Sequence, residues 1–168
     1  FVEESYDAIG VEPDANAFEA IKVNPDLKER LISCGIEDLE NSNHPALKKP
    51  FDLIVLQDVL EHLYDPLSAI ELLLHKLKDD GYIYISLDNR GTPAPKGREW
   101  RKSIYRNIGR INIKDQAMAA KEILKWDFVD PERIAVWGHS GGGSATLNLM
   151  FQYPEIYKTG ISLAAIAN

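Results

Sequence analysis

Short apolar runs separated by polar, turn-forming segments set the rhythm of this chain, and the runs alternate between strand and helix character. Ala8-Ile9-Gly10-Val11 reads as a strand leaving through Glu12-Pro13-Asp14. Asp14 is placed to cap a helix whose apolar face is Ala17, Ala20 and Ile21. Arg30–Cys34 is a second short strand, and the polar stretch 40–50, with two prolines, is a loop. Leu53-Ile54-Val55-Leu56 is a continuous apolar run, the pattern of a strand buried on both faces of a parallel sheet. Asp65-Pro66 then supplies an N-cap and a first-turn proline. Ile70, Leu73, Leu74 and Leu77 follow at helical spacing, Gly81 closes that helix, and Tyr82–Leu87 is again a strand.

The pattern lapses from Asp88 to Gly109, a long connection rich in Gly, Pro, Lys and Arg. Ile113, Ala117, Ala120 and Leu124 restore a helical stripe, and Asp130-Pro131 makes a turn. Ile134–Trp137 is a strand running into Gly138-His139-Ser140-Gly141-Gly142, with a helix at 145–151 and a last strand at 159–165. Strand and helix alternating in this way predict an α/β protein, a three-layer αβα arrangement on a mainly parallel sheet.

Composition narrows the function. The 168 residues are 45% hydrophobic and 27% charged, ordinary for a globular protein. No apolar run is long enough to cross a bilayer, so no membrane partner is expected. One cysteine, Cys34, leaves no internal disulfide and no cysteine-based metal cluster. His62 and His75 lack companions at metal-ligand spacing and are read as surface residues, so no metal is expected. The net charge of −7 disfavours non-specific nucleic-acid binding by the whole chain. Arg90, Lys96, Arg98, Arg101, Lys102, Arg106 and Arg110 make the middle connection locally basic; a solvated loop is the expectation, with no nucleic-acid partner. The chain begins at Phe1 without signal-peptide features, so the native start is expected upstream and no compartment is assigned.

The chemistry gathers at Ser140. Gly138-His139-Ser140-Gly141-Gly142 fits G-x-S-x-G, with the strand before and the helix after that the motif requires. A sharp turn there lifts the hydroxyl above the sheet edge, and flanking glycines are needed where a Cβ would collide with strand and helix. Ser140 is the expected nucleophile, and the Gly141 amide, opening a helix, the expected oxyanion donor. His139 belongs to the turn and is not positioned to act as the base.

Asp88-Asn89-Arg90-Gly91-Thr92-Pro93, Trp100-Arg101, Asp115-Gln116, Val129-Asp130-Pro131-Glu132-Arg133-Ile134 and Trp137-Gly138-His139-Ser140 together resemble the catalytic domain of the prolyl oligopeptidase family, in particular its dipeptidyl peptidase IV branch. The resemblance covers about residues 81–168. It implies an α/β-hydrolase fold, no cofactor, and hydrolysis of short peptide substrates, often after proline. In that fold the triad runs Ser, Asp, His along the chain. After Ser140 there is no Asp and no His; the one downstream acid is Glu155. The family's oxyanion tyrosine and proline-pocket tyrosines have no counterparts here. The expectation is a peptidase fragment, inactive alone.

The first half points elsewhere. FDLIVLQDVLEHLYDP and LSAIELLLHKLKDDGYIYISL, within 51–87, and Gly10-Val11-Glu12-Pro13-Asp14 resemble class I S-adenosylmethionine-dependent methyltransferases, a Rossmann-like fold. The resemblance implies that Glu12 takes the cofactor ribose, that Ile36-Glu37-Asp38 approaches the adenine, and that Gln57 faces the cofactor. The family's glycine-rich loop is absent: before Gly81 the glycines are Gly10 and Gly35. Weak or undetectable S-adenosylmethionine binding is therefore expected. Two incomplete segments result, 1–87 methyltransferase-like and 81–168 peptidase-like, sharing a strand at about 81–89, GYIYISLDN. The simplest account is a chimera joined near that strand; the other is a fusion in which both halves extend one sheet.

Overall fold

The computed structural model describes residues 7–22, 27, 29–57, 59–92 and 96–166. It divides into two compact units, Phe1–Ser86 and Leu87–Asn168.

The first unit opens with β1 (Gly10–Val11), paired in parallel with β2 (Leu31–Ile32). Between them α1 (Ala15–Lys22) is capped as expected: an Asp14 carboxylate oxygen accepts from the amides of Asn16 (2.7 Å) and Ala17 (3.0 Å). The Ala20 and Ile21 side chains of its expected apolar face lie outside the described residues. A 3-10 turn, Ile36–Asn41, buries Leu39 and runs into the stretch read as a loop, which itself contains a second, Pro45–Lys48, that buries Leu47. Next come β3 (Phe51–Leu56), α2 (Pro66–Leu74) and β4 (Leu77–Ile85), a parallel crossover unit. At the start of α2, Asp65 accepts from the Ser68 amide (3.2 Å) and hydroxyl (2.8 Å), and Pro66 sits in the first turn.

Two expectations change here. Leu77 leaves the helix to begin β4, and Gly81 lies inside that strand. The register passes from Phe51 opposite Leu77 to Leu53 opposite Tyr82, so the strand bulges between them. A Cβ on Gly81 would stand 2.6 Å from Leu77 Cγ, so the bulge needs a glycine. The second change concerns β3, which is buried on one face only. Leu56 is buried, as are Ala69, Ile70 and Leu73 of α2, whereas Leu53 and Val55 are exposed beside Tyr82. A two-stranded sheet with α2 over one face leaves the other face open.

The second unit carries α3 (Gly97–Lys102) within the long connection, then α4 (Ile111–Ile123), β5 (Ala135–His139), α5 (Gly141–Gln152) and β6 (Thr159–Leu163). β5 and β6 pair in parallel, Trp137 opposite Ile161. The core is the predicted stripe of α4, Ile113, Ala117 and Ala120, packed with Leu149, Ile156 and Tyr157. Ile113 and Ile156 are each 1% exposed, and such burial is worth roughly 2–3 kcal/mol per side chain. The last strand stops at Leu163, two residues before the sequence suggested, because Ala164 turns into positive φ (47°). The class is α/β: the six described strands form three two-stranded parallel sheets connected through helices.

Candidate active site

Ile134, just before β5, and Val136 within it pack against the core, and the strand's last residue, His139, delivers the chain to Ser140. Ser140 stands at φ 56°, ψ −117°, a region that residues with a Cβ rarely enter. Several contacts hold it there. Its amide donates to the Leu163 carbonyl at the end of β6 (2.8 Å), and its own carbonyl accepts from the Ser144 amide (3.0 Å). The next residue, Gly141, opens α5, so its amide has no intrahelical acceptor. Ser140 and Gly141 are both exposed.

The glycines of the motif divide their work differently from the sequence reading. A Cβ on Gly138 would lie 2.3 Å from the carbonyl carbon and oxygen of Gly142. A Cβ on Gly142 itself would meet open space. The second crowded glycine is Gly143, whose Cβ would fall 2.6 Å from the Leu163 carbonyl oxygen. Both close approaches let α5 start immediately after the serine and lie against β6, earlier than the helix predicted at 145–151.

Hydroxyl side chains complete the turn, and sequence reasoning missed them. Ser162 donates to the Gly143 carbonyl (3.0 Å), and Thr146, 1% exposed, donates back to the Gly142 carbonyl (3.0 Å). Ser144 donates to the Ile166 carbonyl (2.9 Å) and accepts from the Ile166 amide (3.0 Å). The visible signal was a row of small hydroxyl residues following the glycines and lining the last strand.

The connection upstream is also anchored. Arg90 donates through Nε (2.8 Å), a terminal nitrogen (2.6 Å) and its backbone amide (3.0 Å) to the Asp115 carboxylate. The hydrogen bond to the guanidinium holds the Asp115 carboxyl below its ordinary value. Gln116 donates to the Leu87 carbonyl (2.6 Å) and the Asn89 side-chain oxygen (3.0 Å). Asp115 and Gln116 thus fasten Leu87–Arg90 to α4.

In the first unit, the residues singled out for a cofactor each follow a strand. Glu12 comes directly after β1, Gln57 directly after β3, and Glu37 five residues after β2. Glu37 and Gln57 are exposed. The Glu12 carboxylate is turned forward, accepting from the Asp14 amide (2.8 Å). Neither early glycine makes a cradle: a Cβ on Gly10 would touch Leu31 and one on Gly35 would touch Glu37. A cavity of about 590 Å³ opens at the other ends of the strands, lined by Ile9, Phe51, Asp52 and Lys78 among others. It contains none of the candidate residues. The Cys34 thiol is pushed up by burial and by the neighbouring Asp38. Among the described residues no His, Cys, Asp and Glu cluster could hold a metal ion, and no described helix is long and apolar enough to cross a membrane.

Residues 70–168 match the prolyl oligopeptidase family, and the strained Ser140 elbow falls within the match. The chain belongs to the prolyl oligopeptidase family. Over residues 1–85 it also belongs to a second family, matching a methyltransferase domain, and the two matches overlap over residues 70–85. The peptidase segment is similar to dipeptidyl peptidase 4 of Trichophyton rubrum, 36% identical over 87 residues, which is 52% of this chain and 11% of that protein. It is similar to the prolyl endopeptidase FAP of Mus musculus, 29% identical over 100 residues, 60% of this chain and 13% of that one. A solved structure from Bacteroides ovatus, assigned as a dipeptidyl aminopeptidase IV, aligns at TM-score 0.50 with 27% identity, covering 74% of this chain and 18% of its own. The chain therefore spans between about a tenth and a fifth of these relatives. The methyltransferase match implies S-adenosylmethionine as the cofactor for that segment's class of reaction; the carboxylate and glycines described above do not form a place for it.

Proposed function

We propose that residues 81–168 are the nucleophile-bearing part of a serine peptidase, in which Ser140 Oγ attacks a peptide carbonyl and the Gly141 amide receives the oxyanion. A bond forms between Oγ and the carbonyl carbon. The hydroxyl proton passes to a base and then to the leaving amine, and water later releases the acyl group. The observation that carries this reading is Ser140 at φ 56° between β5 and α5, with the first helical amide beside it. Strain of about 1–3 kcal/mol is held by the close Gly138–Gly142 and Gly143–Leu163 approaches. It is the kind of cost that persists where a hydroxyl must be presented. Peptide is the substrate class carried by the relatives' names. No Asp or His follows Ser140, so residues 141–168 do not supply the acid and base that the fold's Ser, Asp, His order places after the nucleophile. The chain alone should therefore not turn over a Gly-Pro chromogenic substrate.

The test transplants the segment. This chain's counterpart replaces the matching 87 residues of the Trichophyton rubrum dipeptidyl peptidase 4. The hybrid should cleave the Gly-Pro substrate, and Ser140→Ala in it should abolish cleavage. A folded hybrid that is inactive with Ser140 intact, or still active after Ser140→Ala, refutes the assignment.

The second reading assigns residues 1–87 to methyl transfer, with Glu12 on the ribose of S-adenosylmethionine and Glu37 and Gln57 nearby. It is supported by the match over 1–85 and by the placing of these residues after strands. Because the Glu12 carboxylate is engaged by its own turn and no glycine cradle is present, no methyl-transfer step is derived. Isothermal titration should detect no binding; micromolar affinity lost in Glu12→Ala would overturn this. On this reading the two segments join within 81–89.

A further inference from the structure

The long connection of the second unit holds an ordered basic surface that the peptidase chemistry does not use. From Trp100 to Lys114 there is no acidic residue, while Arg101, Lys102, Arg106, Arg110 and Lys114 are all exposed. Arg98, Arg101 and Lys102 fall at i, i+3 and i+4 on α3, so they share one face of that helix. Among the described residues none of these cations forms an ion pair, whereas Arg90 at the foot of the connection is spent on Asp115. Large apolar side chains stand exposed among the charges. Ile108 is 77% exposed, two residues from Arg106 on one side and from Arg110 on the other, and Tyr105 is 70% exposed.

The segment is built rather than loose. The Ser103 hydroxyl donates to the Trp100 carbonyl (2.6 Å), and the Asn107 and Arg110 amides donate to Ile104 and Asn107 carbonyls (2.8 and 3.2 Å). The Gly109 amide donates to the Asn112 side chain (2.8 Å). Arg106 (φ 58°) and Gly109 (φ 83°) take the positive-φ turns that hold Ile108 outward.

We propose that this surface docks on an anionic lipid bilayer. Headgroup phosphates and carboxylates meet the cations, while Ile108 and Tyr105 enter the interface between headgroups and acyl chains. Cations alone would suit any polyanion. The exposed isoleucine between two arginines favours the lipid, because an aliphatic side chain enters the headgroup–acyl boundary directly, whereas on a nucleic acid it would have to unstack bases to be buried.

Co-sedimentation of the full chain with vesicles tests this. Phosphatidylserine-containing vesicles should retain it at low salt and release it as salt rises; pure phosphatidylcholine vesicles should not retain it. Arg101→Glu with Arg106→Glu should weaken retention by roughly tenfold or more. Ile108→Asp should weaken it several-fold with every cation intact, and circular dichroism should show both variants folded, since the altered side chains are exposed. Equal retention on both vesicle types, or an unaffected Ile108→Asp, overturns the proposal. So does preferential binding of a single-stranded oligonucleotide without vesicle binding, which would reassign the surface to nucleic acid.

Discussion

Gly138 and Gly142 lie so close that a Cβ on the first would stand 2.3 Å from the carbonyl carbon of the second. The obstructing atoms are backbone, so nothing can swing aside. Gly138→Ala must push α5 away from β5 and with it the Ser140 amide from Leu163. We expect a loss of more than about 3 kcal/mol, seen as a lowered midpoint in urea. Gly142→Ala faces open space in the first turn of the helix and should change stability by less than about 1 kcal/mol. Equal effects from the two would contradict the geometry.

The Arg90–Asp115 bridge makes stability depend on pH in the acid range. Asp115 has its carboxyl lowered below the ordinary 3.8 by the Arg90 hydrogen bond, so its contribution is complete above that value. It is lost as pH falls through the lower folded-state value, where the native carboxylate finally takes its proton. Asp115→Asn should lower the melting temperature at neutral pH, and its deficit against the parent should shrink as pH drops below 3.8. Arg90 is partly exposed, so added salt should reduce the deficit at neutral pH as well. A deficit that is constant across acid pH would remove Asp115 ionisation as its cause.

How much of this was legible in the sequence depended on whether one local cause decided the structure. Asp14 and Asp65 were readable as caps because a carboxylate three residues before free amides has one good use. Ser140 was readable because strand, glycine, serine and glycine together force one turn. Leu77 was not: its spacing from Leu73 fits a helix, and only pairing with Phe51 across the sheet places it in β4. The open face of β3 was equally hidden, since Leu53 and Val55 read as core until the sheet proves to have two strands. Glu12 follows β1, as the resemblance led one to expect, but its bond to the Asp14 amide is a matter of rotamer, which no residue pattern reveals.

At the alkaline end the controlling group is Tyr157. Burial pushes its phenol up to about 12, with Tyr153 adding to the effect. The folded state favours the protonated form, so the stabilisation is complete below the ordinary value of 10 and declines as pH rises from there towards 12. Two pH units correspond to about 2–3 kcal/mol. Tyr157→Phe should flatten the fall in unfolding free energy over this range. It should cost little at neutral pH, because the phenol's one hydrogen bond, to the Gln116 carbonyl, is long at 3.4 Å. An unchanged alkaline slope in Tyr157→Phe would place the titration elsewhere.

The paired strands β5 and β6 expose Ile161 (56%) and Leu163 (48%) beside Trp137 (50%), while the opposite face of the same sheet rests on α5. Apolar groups on the open face add nothing to the core cluster and supply a surface for association. Ile161→Thr should therefore leave the unfolding free energy from urea titration within about 0.5 kcal/mol of the parent. It should also reduce binding of a hydrophobic dye and slow aggregation on heating. Ile156→Thr makes the same chemical change at a side chain that is 1% exposed, and there a hydroxyl would be buried against Ile113 and Leu149. That substitution should cost about 2–4 kcal/mol from lost packing and an unpaired polar group. If Ile161→Thr destabilises as strongly as Ile156→Thr, the outer face of this sheet is covered in solution and the open arrangement of β5 and β6 is wrong.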